Sequence, residues 1–433
     1  MRKFCYVLAA ATLTLSGCSS SDSGGGGPQL GTPACAIDAQ KQFVLDAMRD
    51  IYFWYELLPA DVDLSQYASP EELLAFLISF QPLDNFSFIT TAEADAQFFA
   101  EGKFEGFGFS SRFEAVDDLR FTRVFSGSPA VLAGFSRGQR ILELDGRTIA
   151  EIEANEGLGV VFGQTPLEFR ILNLDNSEFT VTISHDVVTI DPLPQWRVID
   201  MAGVPVGYVE FASFISTADP VFGAIFADFN AAGVTDVIVD MRYNGGGLVS
   251  TAELLGDYLG GGVAGLTFSR TLFNDKNTDL NETEFFQQIA DSMNLSRLVV
   301  IATSGTASAS ELVINSMEPH TSVTIVGDTT FGKPVGQVGI LFCEKILRTT
   351  AFETVNALNE GDYFGGLQVD CPAADDLTET VGADTDPNIE TALTYLSGVG
   401  CPAPATFQKF DLDREVPQID LRGPPWREFA GAF

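Results

Sequence analysis

Between residues 187 and 342, short, mainly apolar runs alternate with helical patterns, and this alternation constrains the fold more than any other feature of the chain. The runs fall at 206–211, 237–240, 298–302, 323–326 and 338–342, with helical patterns over 220–232, 250–259 and 308–317. A strand that is apolar on every residue has no face to give to water, so it must be covered on both sides. The expected architecture is a mainly parallel sheet with helices on its two faces. Beyond residue 384 one more helix, over 389–396, precedes a proline-rich, irregular end.

The stretch 101–186 has a different texture. Alternating strands are expected at 119–124, 140–144, 167–172 and 179–183, separated by turn residues. Gly106-Phe107-Gly108-Phe109 stands just before the first of them. Gly127-Ser128-Pro129-Ala130 then leads a short helix, followed by Gly134, Gly138 and an Ile-Leu-Glu-Leu-Asp-Gly run ending at Gly146. This series resembles a PDZ domain of the kind found in bacterial proteases. The resemblance implies that Gly106, Phe107, Gly108 and Phe109 offer backbone N–H groups to the terminal carboxylate of a peptide, which adds as a strand beside an apolar groove. The preceding stretch, 36–100, reads as helical. Phe43, Val44, Ala47, Ile51, Trp54, Tyr55 and Leu58 recur at helical spacing, and Pro70 opens a second helix. A bundle packed on the later segments is expected there, with no chemistry of its own.

The first residues carry an address. Arg2 and Lys3 precede an apolar stretch and then Leu15-Ser16-Gly17-Cys18, a pattern that resembles a bacterial lipobox, so that 1–17 is a signal peptide and Cys18 the lipidated N-terminus. Ser19 to Gly27 is Ser, Asp and Gly only, and 18–35 reads as a flexible tether. The implied location is the bacterial cell envelope, lipid-anchored, at the outer membrane facing the periplasm or the cell surface. In that oxidising compartment Cys35, Cys343, Cys371 and Cys401 are expected in disulfides, Cys343 with Cys371 and Cys35 with Cys401. No CxxC spacing points to zinc, and no metal or cofactor is expected. With 24 Lys plus Arg against 59 Asp plus Glu, the chain lacks the cationic surface that nucleic acid requires.

The catalytic signals lie after 187. His185 and His320 are the sole histidines, which leaves a Ser-His-Asp triad poorly supplied. Thr303 to Glu311 follows a buried run and opens a helix, placing small hydroxyl residues where free N–H groups and the helix dipole favour an oxyanion. Asp240-Met241-Arg242-Tyr243-Asn244-Gly245-Gly246-Gly247 leaves another buried run, and its glycines let the backbone approach a substrate closely. Lys333, one of few lysines, sits in an apolar setting between Gly332 and Pro334.

Together these motifs resemble the carboxyl-terminal processing peptidases, or tail-specific proteases. Ser308-Ala309-Ser310-Glu311 matches the family's nucleophile turn, Lys333 follows Ser308 by 25 residues, and Gln337 follows Lys333 by four. The resemblance implies a multidomain α/β chain: a helical N-terminal domain at 36–100, a PDZ-like β-rich domain at 101–186, and a catalytic domain at 187–433 with a crotonase-like core. It also implies a serine endopeptidase acting on proteins with apolar C-terminal tails. Ser308 would be the nucleophile, Lys333 the general base, neutral when active, and Gln337 the residue that orients it. The oxyanion donors would be the N–H groups of Ala309 and Gly247, with Gly246 as second choice. Ser310 is the rival nucleophile. Asp240 and Arg242 would hold their turn rather than do chemistry. Protein or peptide substrates and the membrane are the implied partners, and an adaptor that delivers clients is left open. Competing readings are an inactive peptide-binding lipoprotein on the same fold, against which the complete motifs weigh, and a crotonase-type acyl enzyme, which would need neither Lys333 nor a PDZ-like segment. Pro334 and the acidic stretch 370–386 depart from the family pattern.

Overall fold

The computed structural model describes residues 35–402 and residue 424, so the signal segment, Cys18 and the tether up to residue 34 lie outside the described residues. The central sheet has six strands in the order Gln195–Met201, Val204–Glu210, Asp236–Asp240, Arg297–Ala302, Ser322–Gly327 and Cys371–Pro372. The first pair is antiparallel and every later pairing is parallel. Side chains alternate between two cores. Val237, Val239, Leu298 and Val300 face the helices Asp219–Ala231, Val249–Leu259 and Ala309–Met317, whereas Ile238, Val299 and Ile301 face the helix Pro387–Thr394. Cover on both sides is why these runs carry no polar alternation.

One expected strand belongs elsewhere. Val335–Phe342 pairs antiparallel with the long strand Lys345–Val355, in a second sheet that also holds Phe88–Thr91, Thr267–Phe273 and Glu282–Phe285. The run at 338–342 is half exposed and turns back through Cys343 and Glu344, the behaviour of a hairpin rather than a buried parallel strand.

The N-terminal segment is likewise more than a bundle. Its helices, Ile37–Ile51 and Pro70–Ile78, share one core with Phe342 and Leu347 of the hairpin, and Phe43 stacks on Phe342 at 5.1 Å. Its strand Phe88–Thr91 then joins the second sheet beside Lys345–Val355. The disulfides follow this packing. Cys35 bonds Cys343, at the hairpin turn, and Cys371 bonds Cys401, which corrects the expected pairing. Cys343 turns the hairpin of the second sheet and Cys371 lies in the edge strand of the central sheet, and position along the chain gave no hint of that.

Residues 103–189 form an antiparallel sheet ordered Phe109–Ala115, Asp118–Val124, Arg140–Leu144, Leu167–Leu172, Glu178–Ile183, with its own phenylalanine-rich core around Phe109, Phe121, Phe135, Phe162 and Phe169. The short pair Lys103–Gly106 and Asp186–Thr189 closes its base.

Candidate active site

Two loops leave the C-terminal ends of adjacent parallel strands, since Asp240 and Ile301 are register partners. Each loop is stitched to the other. Thr306 donates its hydroxyl to Met241 O at 2.7 Å, Ala307 N–H reaches Asn244 O at 3.0 Å, and Tyr243 N–H reaches Thr303 Oγ1 at 3.2 Å. Arg242 is 1% exposed and locked on Asp240 and Asp386, so Asp240 and Arg242 hold the turn, as expected of them.

Ser308 sits at the apex of the second loop with φ of 56°, a conformation a non-glycine residue adopts only when its surroundings impose it. Gly246 runs directly beneath: a Cβ there would lie 2.8 Å from Ser308 Cβ and from Ala309 N. Its own N–H is taken by Asn244 Oδ1 at 3.0 Å. The N–H groups of Gly247 and Ala309, by contrast, find no acceptor among the described residues. Of the two glycines weighed as oxyanion donors, Gly247 is therefore the one with a donor to give. Ser310 is fully buried and donates its hydroxyl to Asn244 O at 2.9 Å, which ties down the rival nucleophile.

Lys333 approaches on the loop before the hairpin. Its ammonium nitrogen donates to Gln337 Oε1 at 3.0 Å and lies 4.8 Å from the centre of the Phe86 ring. Burial pulls its pKa down to about 8; the Asp84 and Glu311 carboxylates oppose the fall and the Arg348 guanidinium assists it. Gln337 is itself fixed, since its Nε2 donates to Phe86 O. The Asp84 carboxylate accepts from Phe86 N–H, Ser87 N–H, the Ser87 hydroxyl and the Thr350 hydroxyl, at 2.7 to 3.1 Å.

Glu311 joins the two halves. One carboxylate oxygen accepts from Ser308 N–H at 2.9 Å and Lys333 N–H at 2.8 Å. The other accepts from Gly332 N–H at 2.7 Å and the Thr330 hydroxyl at 2.5 Å. Burial raises its pKa even so.

Sequence reasoning missed three of these residues. Glu311 lay inside a quoted motif but had no role assigned, and a buried Glu at the third position of a helix looks like an ordinary cap. Asp84 and Phe86 fall in the segment read as without chemistry. No periodicity marks them, because they act through a turn that meets the hairpin only in three dimensions.

The other marked positions are structural or lie apart. His185 bonds Phe162 O at 3.1 Å with its ring against Phe107, and His320 bonds Thr267 O at 2.8 Å. Gly106 ends the short strand pair, Phe107 and Phe109 are buried, and Gly108 leaves no room for a Cβ beside Ser128. The carbonyls of Phe107 and Gly108 accept from Ala130 and Phe125, while the N–H groups of Phe107 and Gly108 have no acceptor among the described residues.

Comparison with known proteins agrees with this architecture. Residues 205–361 match the model of peptidase family S41, and residues 39–88 match that of the peptidase S41 N-terminal domain. The carboxy-terminal processing protease CtpA of Bacillus subtilis is 24% identical over 239 residues, covering 53% of this chain and 47% of that protein. The carboxyl-terminal-processing protease of Synechocystis is 26% identical over 223 residues, covering 50% of each. The chain thus spans about half the length of these curated relatives. Among solved structures, a Bacteroides fragilis protein assigned to the S41 proteases aligns with a TM-score of 0.65 at 23% identity, over 82% of this chain and 97% of that one. The photosystem II D1 C-terminal processing protease gives 0.53 at 19%, over 82% and 100%. Both are likenesses of fold. Peptidase S41 family domains thus match residues 39–88 and 205–361, and the chain is similar to the carboxy-terminal processing proteases.

Proposed function

We propose that the chain is a serine endopeptidase working through Ser308 and Lys333. The observation that carries this reading is the buried Lys333 amine, with its pKa near 8, on a loop that Glu311 fastens to the Ser308 turn. A neutral amine takes the Ser308 hydroxyl proton as the oxygen attacks the scissile carbonyl, and returns it to the leaving amine. Gln337 and the Phe86 ring keep that amine in one place. The N–H groups of Gly247 and Ala309, neither with an acceptor among the described residues, receive the oxyanion.

Substrates in this reading are proteins with apolar C-terminal tails, gripped by residues 101–186 acting as a PDZ-like domain. The N–H groups of Phe107 and Gly108, without an acceptor among the described residues, support a carboxylate site there. Acylation at Cys18 would hold the enzyme at the outer membrane.

The test is cleavage of an unfolded reporter with an apolar C-terminal tail by wild type, Ser308→Ala and Lys333→Ala. Cleavage by wild type alone supports the reading. Cleavage that survives in Ser308→Ala removes it, and a tail amide cleaved as fast as the free carboxylate removes the PDZ-like role.

A further inference from the structure

The acidic stretch 370–386 found no counterpart in the sequence motifs, and it lies beyond the residues that match the family model. In the fold it runs between the sheet of residues 109–183 and the oxyanion turn, and one carboxylate touches both. Asp375 accepts from Arg112 at 2.5 Å, Arg137 at 2.6 Å, Arg242 at 3.2 Å and the Tyr243 hydroxyl. Arg137 also donates to the Tyr243 hydroxyl at 2.8 Å and lies over the Tyr243 ring at 5.6 Å. The Asp375 side chain is 8% exposed, so this contact is shielded from water.

Tyr243 is where the effect reaches the chemistry. Its backbone has φ of 61°, a left-handed conformation that a bulky residue does not hold unaided. The next residue, Asn244, receives Gly246 N–H on its side chain and Ala307 N–H and the Ser310 hydroxyl on its carbonyl. The direction in which Gly247 N–H points is set by this turn. An oxyanion donor loses its effect when displaced by a fraction of an ångström, so whatever pins Tyr243 also sets how well the oxyanion is held.

We propose that Asp375 is a positioning residue for peptide hydrolysis: by anchoring the Tyr243 hydroxyl beside Arg112 of the strand Phe109–Ala115 and Arg137 of the turn before Arg140–Leu144, it holds the Asn244–Gly247 turn in its oxyanion-binding shape. This rests on the reading of Ser308 and Gly247 given above. Asp375 is not a catalytic residue, since Tyr243 and Asn244 stand between it and the reacting atoms.

Removing Asp375 would leave the largely buried Arg137 without its carboxylate and destabilise the chain for reasons unconnected with catalysis. Tyr243→Phe is the cleaner probe, because it deletes one hydroxyl and leaves every charge in place. The experiment measures kcat and KM of the full chain on the tailed reporter for wild type, Tyr243→Phe and Ser308→Ala, together with amide exchange across residues 244–247. The expected result is a folded Tyr243→Phe with kcat about ten-fold lower, KM within about two-fold of wild type, and faster exchange confined to the turn. A purely structural clamp would lower the melting temperature and leave kcat alone. Ser308-dependent cleavage with kcat and turn exchange unchanged in Tyr243→Phe would overturn the positioning role alone, as would a rise in KM at constant kcat. Cleavage that persists in Ser308→Ala would overturn the active-site reading and this proposal with it.

Discussion

Ser308 and Lys333 donate their backbone N–H groups to the same carboxylate oxygen of Glu311, at 2.9 and 2.8 Å. The two residues are far apart in sequence, and this shared acceptor makes their loops one rigid unit. An amide in place of the carboxylate would turn at least one donor against another. Glu311→Gln is expected to lower kcat by ten-fold or more with KM little changed, and to cost roughly 1–3 kcal/mol of stability. Steady-state kinetics beside urea unfolding will check this. A variant with full kcat would show that the shared carboxylate does not align the two loops.

Activity should follow the protonation of Lys333. The base must be neutral, so kcat/KM is expected to climb with pH through an apparent pKa of about 8 and level off above it. Asp84 favours the charged amine, so Asp84→Asn should move that midpoint to lower pH. A pH–rate profile of the two proteins decides the matter. A midpoint near the free-lysine value of about 10.4 would mean that the buried amine is not the base.

The parts that were legible in the sequence are those whose signal is local. Strands at 140–144 and 167–172 match the observed Arg140–Leu144 and Leu167–Leu172, and in the second every other residue is buried against a single core, which leaves its mark on the sequence. The doubly covered strands of the central sheet were legible as continuous apolar runs. Ser308, Lys333 and Gln337 were singled out because type and spacing repeat a family pattern. What escaped was contact between distant segments. Phe86 beneath Lys333, Asp375 on Tyr243, and Cys35 beside Cys343 are decided by how segments dock, and no residue near any of them announces its partner.

The disulfide arrangement can be read directly. Peptide mapping without reduction is expected to give linked fragments containing Cys35 with Cys343 and Cys371 with Cys401. The second bond spans a sequence separation of 30 and ties the described C-terminal end to the edge strand of the central sheet. Replacing both of its cysteines by serine should cost roughly 3–4 kcal/mol through the freedom regained by the unfolded chain. A fragment joining Cys343 to Cys371 would contradict the placement of the two sheets.

Lys333 should also be a burden on the fold. Its pKa is depressed in the folded protein, so between about pH 8 and 10.5 the unfolded chain binds more protons and stability rises with pH. Below pH 8 the amine is charged in both states, and the folded state carries the whole cost of a buried cation. Lys333→Met keeps the apolar length and removes that charge. At pH 6 it is expected to be more stable than wild type by roughly 1–3 kcal/mol, with the gap narrowing toward pH 10. It should have no peptidase activity. Urea unfolding of both proteins at the two pH values tests the sign as well as the size. A variant less stable at pH 6, or one whose advantage is the same at pH 10, would show that the amine is solvated in the folded state and that its low pKa has another origin.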